Sequence, residues 1–214
     1  MRSDRIWIMS ALQKLAKNIP MNQGFFAEVL DVIFKASAMG LIEKPRDIFK
    51  LDFSTIKKLL RQIAKSGFGE KWLHDIDAWP AQDPVDVIQK LRLLNNILEE
   101  SPNPKGEWRV VLEYIPDNLL SYLVGGISPS SIQRYSSDER NTPDDVKARL
   151  HFLALVIGDL SGSYNHEGIK QWFQRSRNKA FDGKSPVDLL VGNWKPDDPY
   201  PSKVRQFAHS QSHL

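Results

Sequence analysis

Ser130, Ser131, Gln133 and Arg134 stand within five residues of one another, in a stretch that opens with Ser128-Pro129. Their chemistry is that of recognition. Gln suits a bidentate contact to adenine, Arg suits one to guanine, and Ser can donate or accept at either base. The short serines also let a helix approach a surface closely. Catalytic arrangements are absent from the sequence. The five histidines, His74, His151, His166, His209 and His213, are scattered; only His209 and His213 stand four residues apart, and no H-E-x-x-H motif arises. Asp182-Gly183-Lys184-Ser185 resembles the end of a phosphate loop, but that motif needs a glycine at position 178, where Asn stands. There is no G-x-S-x-G elbow. The sequence therefore points away from an enzyme and implies neither cofactor nor metal.

The elements that would position those four side chains can be read outward from them. Asp117 is expected to cap a helix bearing Leu119, Leu120, Leu123 and Val124. Gly125-Gly126 supplies a turn that tolerates positive φ, and Ile127 is expected to bury behind it. Ser128 then caps a second helix with Pro129 at its first position, and Ile132 and Tyr135 point inward. This is the outline of a helix-turn-helix, whose second helix enters the major groove. Arg140 and Lys147 are placed to meet phosphates. Residues 117–150 hold four basic and five acidic side chains, so charge placement must do what charge count does not. Glycine turns also join helices in proteins that bind no DNA, which leaves open an interaction scaffold with a purely structural helix-turn-helix.

Downstream, Thr142-Pro143-Asp144-Asp145 starts a long helix with Val146, Leu150, Leu153, Ala154, Ile157 and Leu160 on one side and Phe152, Leu155 and Val156 on another. Such a helix is buried, or half of it faces a partner chain. His151 within it reads as a core or interface histidine. Gly168–Arg175 is expected to be helical around Ile169, Trp172 and Phe173. Ser185-Pro186-Val187-Asp188 caps a short helix ended by Gly192, and Ser202 starts a final one.

Upstream, residues 1–100 read as helices over Asp4–Lys17, Asn22–Met39, Ser54–Lys65 and from Asp83-Pro84 to Glu100. Ser54 and Asp83 are their expected caps. The Lys57, Lys58, Arg61 and Lys65 cluster reads as the solvated face of an amphipathic helix. Trp72 and Trp79, flanking His74, Asp75 and Asp77, read as aromatic anchors under a loop. The run from Ser101 to Gly106, with two prolines and a glycine, reads as a linker, followed by a short apolar helix or strand over Glu107–Tyr114. The whole is an all-α chain with three parts: 1–100, a helical domain of unknown role; 107–165, a helix-turn-helix with its following helix; and 166–214, a small C-terminal domain.

Composition excludes some classes. The 214 residues are 41% hydrophobic and 26% charged, ordinary globular material with a net charge of only +3, so bulk charge does not argue for nucleic acid. No run of apolar residues is long enough for a membrane span. Cysteine is absent, which fits a reducing cytoplasm.

Trp172-Phe173, then Gly183-Lys184-Ser185-Pro186 with Asp188-Leu189-Leu190, then Asn193-Trp194 ahead of Pro196 and Asp198-Pro199, follow the helix-turn-helix in fixed order. In this the chain resembles the MbcA/ParS/Xre antitoxins over roughly residues 116–209. The resemblance implies a homodimer that neutralises a RES-type, NAD-depleting toxin and represses its own operon. On it, Ser130, Ser131, Gln133 and Arg134 occupy the DNA-reading positions, and the candidate operator contacts are completed by the cap Ser128 and by Arg140 and Lys147. The resemblance assigns toxin contact to the segment from Trp172 onward: Trp172, Phe173, Arg175, Arg177, Trp194 and Arg205. A regulator of the same build without a toxin is the nearest alternative.

Overall fold

The computed structural model describes residues 23–43 and 52–212, and the expected helix over Asp4–Lys17 lies outside them. The described residues are all-α, with no strand among them. They fall into two units, one of residues 23–37, 41–43 and 52–101, the other of residues 38–40 and 102–212.

In the first unit, α1 (Gln23–Ala38), α2 (Phe53–Lys65), α3 (Glu70–Leu73), a 3-10 turn (Ile76–Ala81) and α4 (Pro84–Glu100) follow in order. The apolar positions expected from spacing are buried: Ile56, Leu59, Leu60 and Ile63 on α2, and Val87, Leu91, Leu94 and Leu98 on α4. Asp83 caps α4 by accepting from Val85 N at 2.8 Å, with Pro84 at the first helical position. The cap of α2 is Asp52, accepting from Thr55 N at 2.7 Å, rather than Ser54. Asp52 begins the helix earlier because its carboxylate reaches the third backbone amide ahead of it, the geometry of an N-cap.

Polar contacts explain the charged faces. Lys57 Nζ donates to Asp77 at 2.9 Å, and Arg61 donates to the other oxygen, so half of the basic cluster on α2 is spent inside the unit. Lys35 is buried and donates to Asp31 (3.2 Å) and Asn95 (2.9 Å), with Glu99 at 2.5 Å. A buried ammonium needs such partners, since desolvating it alone is very costly. Trp79 is fully buried, and its indole donates to Asp75 at 3.1 Å. Asp75 also accepts from Lys90 Nζ at 2.6 Å and from Gln82 Nε2 at 2.8 Å.

That network makes an acid-stability prediction. The Lys90 hydrogen bond, then the Gln82 bond, hold the Asp75 carboxyl well below its ordinary value. A carboxyl with a depressed folded pKa stabilises the fold above its unfolded value, about 3.9, and that contribution is lost as pH falls below it. Thermal melts at steps from pH 7 to pH 3 are expected to show a shallower acid loss in Asp75→Asn than in the parent chain. Parallel curves for the two proteins would remove Asp75 from the account.

In the second unit, α5 (Pro104–Tyr114), α6 (Asp117–Leu123), α7 (Pro129–Ser136), α8 (Asp144–Leu160), α9 (His166–Gln174), α10 (Asn178–Phe181), α11 (Pro186–Leu189) and α12 (Pro199–Ser212) surround one core. Pro104-Lys105-Gly106 is the first turn of α5 rather than part of a linker, and Glu107–Tyr114 continues it as helix. Proline is compatible with that turn because its missing N–H is one that a helix start leaves unpaired. Residues 107–165 and 166–214 share this core instead of building two: Trp108, Leu153, Trp172 and Val204 all belong to it.

α8 is the axis of the unit and packs chiefly on α5 and α12. Every residue from Arg149 to Leu160 is buried, which accounts for both apolar strips within a single chain. Three polar side chains on it are matched across the core. His151 Nδ1 lies 2.6 Å from Glu107 Oε1, Arg205 donates to Asp159 at 2.5 Å, and Arg149 donates to backbone carbonyls.

Candidate nucleic-acid interface

The turn between α6 and α7 is built as the sequence demands. Gly126 N donates to Ser121 O at 2.8 Å and Gly125 N to Tyr122 O at 3.3 Å, the paired bonds of a Schellman ending. Gly125 has φ +109 and Gly126 φ +74. Gly125 is doubly constrained, because an added Cβ would overlap the Arg149 guanidinium, whereas Gly126 faces open space. α6 begins without a side-chain cap: Asp117 is its first helical residue and Pro116 occupies the capping position. Pro116 has no N–H to satisfy and already sits in extended backbone, so the helix starts directly after it.

Two carbonyls at the end of α6 would otherwise lack partners. Trp194 Nε1 donates to Leu123 O at 2.9 Å. Arg149 donates through Nε to Trp194 O at 2.9 Å and through a terminal nitrogen to Val124 O at 3.2 Å and to Asp145 at 3.2 Å. The turn is thus clamped to α8 and to the segment before α12. Arg149 escapes a sequence reading because, Asp145 apart, its partners lie 25 and 45 residues away.

On α7, Ser128 accepts from Ser131 N at 3.2 Å, and its hydroxyl also meets the Ser130 and Ser131 hydroxyls, each at 2.9 Å. Ile132 and Tyr135 are buried. Trp108 stacks on Tyr135 (centroids 6.2 Å apart), and its indole donates to Thr142 at 2.9 Å. The inner face is therefore held by α5 as well as by α6. The outer face presents Ser128, Ser130, Gln133 and Arg134 exposed, with Ser131 half-buried. Arg134 makes no ion pair among the described residues. Arg140 is exposed, its guanidinium 5.7 Å from the Tyr135 ring centroid. Lys147 is half-buried and bonded to Asp144 at 2.7 Å, which holds that carboxyl below its ordinary value. Ser130, Gln133 and Arg134 thus share one surface with Arg140 at its end, while Lys147 is the poorer phosphate donor because a carboxylate already occupies it.

The chain matches no family model, no curated protein and no solved structure.

The residues assigned to toxin contact divide sharply. Trp172, Phe173 and Trp194 are interior, at 2%, 1% and 5% exposure, and serve the core rather than a surface. Trp172 and Phe173 pack edge to face, and Trp194 meets Phe152 in the same manner. Arg205 is turned inward onto the buried carboxylate of Asp159. Arg175 is exposed and Arg177 half-buried, its guanidinium 4.9 Å from the Trp172 ring centroid. Among the described residues no three His, Asp or Glu gather as a metal site, and no helix is long and apolar enough to cross a membrane.

Proposed function

We propose that this chain is a DNA-binding regulator that reads operator DNA with α7 and, following its resemblance, acts as an antitoxin repressing its own operon. The observation that carries the reading is the rigid mounting of an exposed polar face. Ser130, Gln133 and Arg134 project from a helix whose other side is locked by Ile132, Tyr135 and the clamped Gly125 turn. A reading helix must hold its side chains in fixed register to distinguish bases, and this one has the residue types for adenine and guanine. A homodimer would set two such helices on neighbouring half-sites. The RES-type toxin enters from the order of motifs between Trp172 and Asp198, whose aromatic members form the scaffold under the surface that would meet it.

A footprint on the chain's own upstream region tests this. Arg134→Ala is expected to lower specific affinity by about 1–3 kcal/mol while leaving the melting temperature unchanged, since Arg134 is exposed. Undiminished protection by that variant would overturn the assignment of α7. One observation favours the scaffold reading: Lys147 and Arg149, two of the four basic residues of 117–150, are engaged by carboxylates. Gel shifts at rising salt separate the readings, because a scaffold gives no salt-dependent shift at all.

A further inference from the structure

The most uncompensated charge in the second unit lies away from α7. Residues 175–184 carry Arg175, Arg177, Lys179 and Lys184 against one acid, Asp182. None of these four cations makes an ion pair among the described residues; Arg109, Arg134, Arg140, Lys170, Lys195 and Lys203 lack one too, but nowhere in the unit outside 170–184 do four such cations fall within ten residues. The segment closes on itself. Arg177 N donates to Lys184 O at 2.9 Å, and Arg177 O accepts from Phe181 N at 2.9 Å and from Gly183 N at 3.2 Å. The backbone of Arg177 is therefore held against that of Lys184.

Arg177 lies 4.9 Å from the Trp172 centroid and 5.5 Å from that of Phe207, so two aromatic rings hold its guanidinium in place. Burial pushes its guanidinium below its ordinary value, and the positive charge of Arg175 adds to that. Arg177 also donates to the Arg175 carbonyl, which keeps the two charges together. Lys184 stands 5.9 Å from the ring centroid of Tyr200, which is 57% exposed, so an exposed aromatic adjoins the cations.

Position along α8 separates this patch from the reading helix. Arg149 fastens the α6–α7 turn at one end of α8. Asp159 binds Arg205 ten residues further on, about 15 Å along the helix axis. Phe207, under Arg177, lies beyond Arg205 on α12.

We infer that the loop 175–184, with Tyr200 beside it, is a docking surface for an acidic face of a partner protein, reached independently of DNA held by α7. A protein partner is favoured over nucleic acid by the exposed tyrosine and the ring-backed arginine, the residue types on which protein interfaces concentrate their binding energy. This deepens the proposed function by giving the chemistry of the protein partner, and rests on that reading only for the partner's role.

The test titrates the full chain by fluorescence anisotropy with a labelled oligoglutamate peptide and, separately, with a labelled random-sequence DNA duplex, each at rising salt. The peptide is expected to bind with an affinity that weakens with salt. Arg175→Glu combined with Lys179→Glu is expected to weaken it about tenfold or more. Both side chains are exposed, so an unchanged melting temperature confirms the fold. Arg177→Lys, which keeps the charge and loses the planar fork, is expected to weaken it by a smaller factor. Arg134→Ala leaves peptide binding intact, so a failure of α7 to read DNA does not touch this result. Absent salt-dependent peptide binding, or binding undiminished in the charge-reversed variant, would overturn the inference. Displacement of the peptide by the random duplex would overturn it too, marking a nucleic-acid surface instead.

Discussion

Trp194→Ala is expected to lower the stability of the second unit by about 3–5 kcal/mol and to abolish DNA binding with it. The indole is buried, meets Phe152 at 5.0 Å between centroids, and donates to Leu123 O. Its own carbonyl accepts from Arg149, which in turn holds Val124 O. Removing the ring leaves a cavity beside α8 and frees one terminal carbonyl of α6. It also loosens the backbone that positions Arg149 against Gly125. Trp194→Phe separates these parts. It keeps most of the buried area and loses the indole donor, a change expected to cost roughly 1–3 kcal/mol for the carbonyl left unpaired. Urea denaturation followed by circular dichroism gives both values, and footprinting shows whether α7 still reads in the Phe variant. If Trp194→Ala cost under about 1 kcal/mol, the clamp would not be holding the turn.

The contrast between α7 and the C-terminal segment shows where local signals suffice. Ser128-Pro129, Gly125-Gly126 and the spacing of Ile132 and Tyr135 are short-range, and each appears in the fold as its chemistry dictates. The caps at Ser54 and Asp117 failed for a local reason as well: a better starter, Asp52 or Pro116, stood just upstream. Trp172, Phe173 and Trp194 were legible as apolar yet were assigned to contact. Whether a large aromatic faces a core or a partner depends on what packs above it, and Phe207 and Phe152 lie 35 residues after Trp172 and 42 before Trp194. The clamp at Arg149 and the charge matches at Glu107 and Asp159 were invisible for the same reason. Their partners across the core are 25 to 46 residues away, and no period relates them. The loop 175–184 was readable as basic. Its lack of internal partners became visible only in the structure, where Lys105 and Arg205 of the same unit are seen to be paired.

Glu107→Ala should be nearly as damaging as loss of Trp194, through a different term. Glu107 is fully buried on α5, and its Oε1 accepts from Asn103 N at 2.9 Å and lies 2.6 Å from His151 Nδ1. Its Oε2 has no hydrogen-bond partner among the described residues, so the carboxyl is held by one oxygen alone. Truncation deprives a half-buried amide and a buried imidazole of that acceptor at once, at a cost of about 1–3 kcal/mol for each group left unpaired. Glu107→Gln keeps the shape and one carbonyl acceptor, and is expected to lose only about 1–2 kcal/mol. The decisive measurement is a double-mutant cycle. With His151→Ala added, the loss should fall short of the sum of the two single losses by more than about 1 kcal/mol, because the second truncation removes a group the first has already stranded. Strict additivity would show that the two side chains are neighbours without a shared bond, and that the join between α5 and α8 rests on Trp108, Val111 and Leu153 alone.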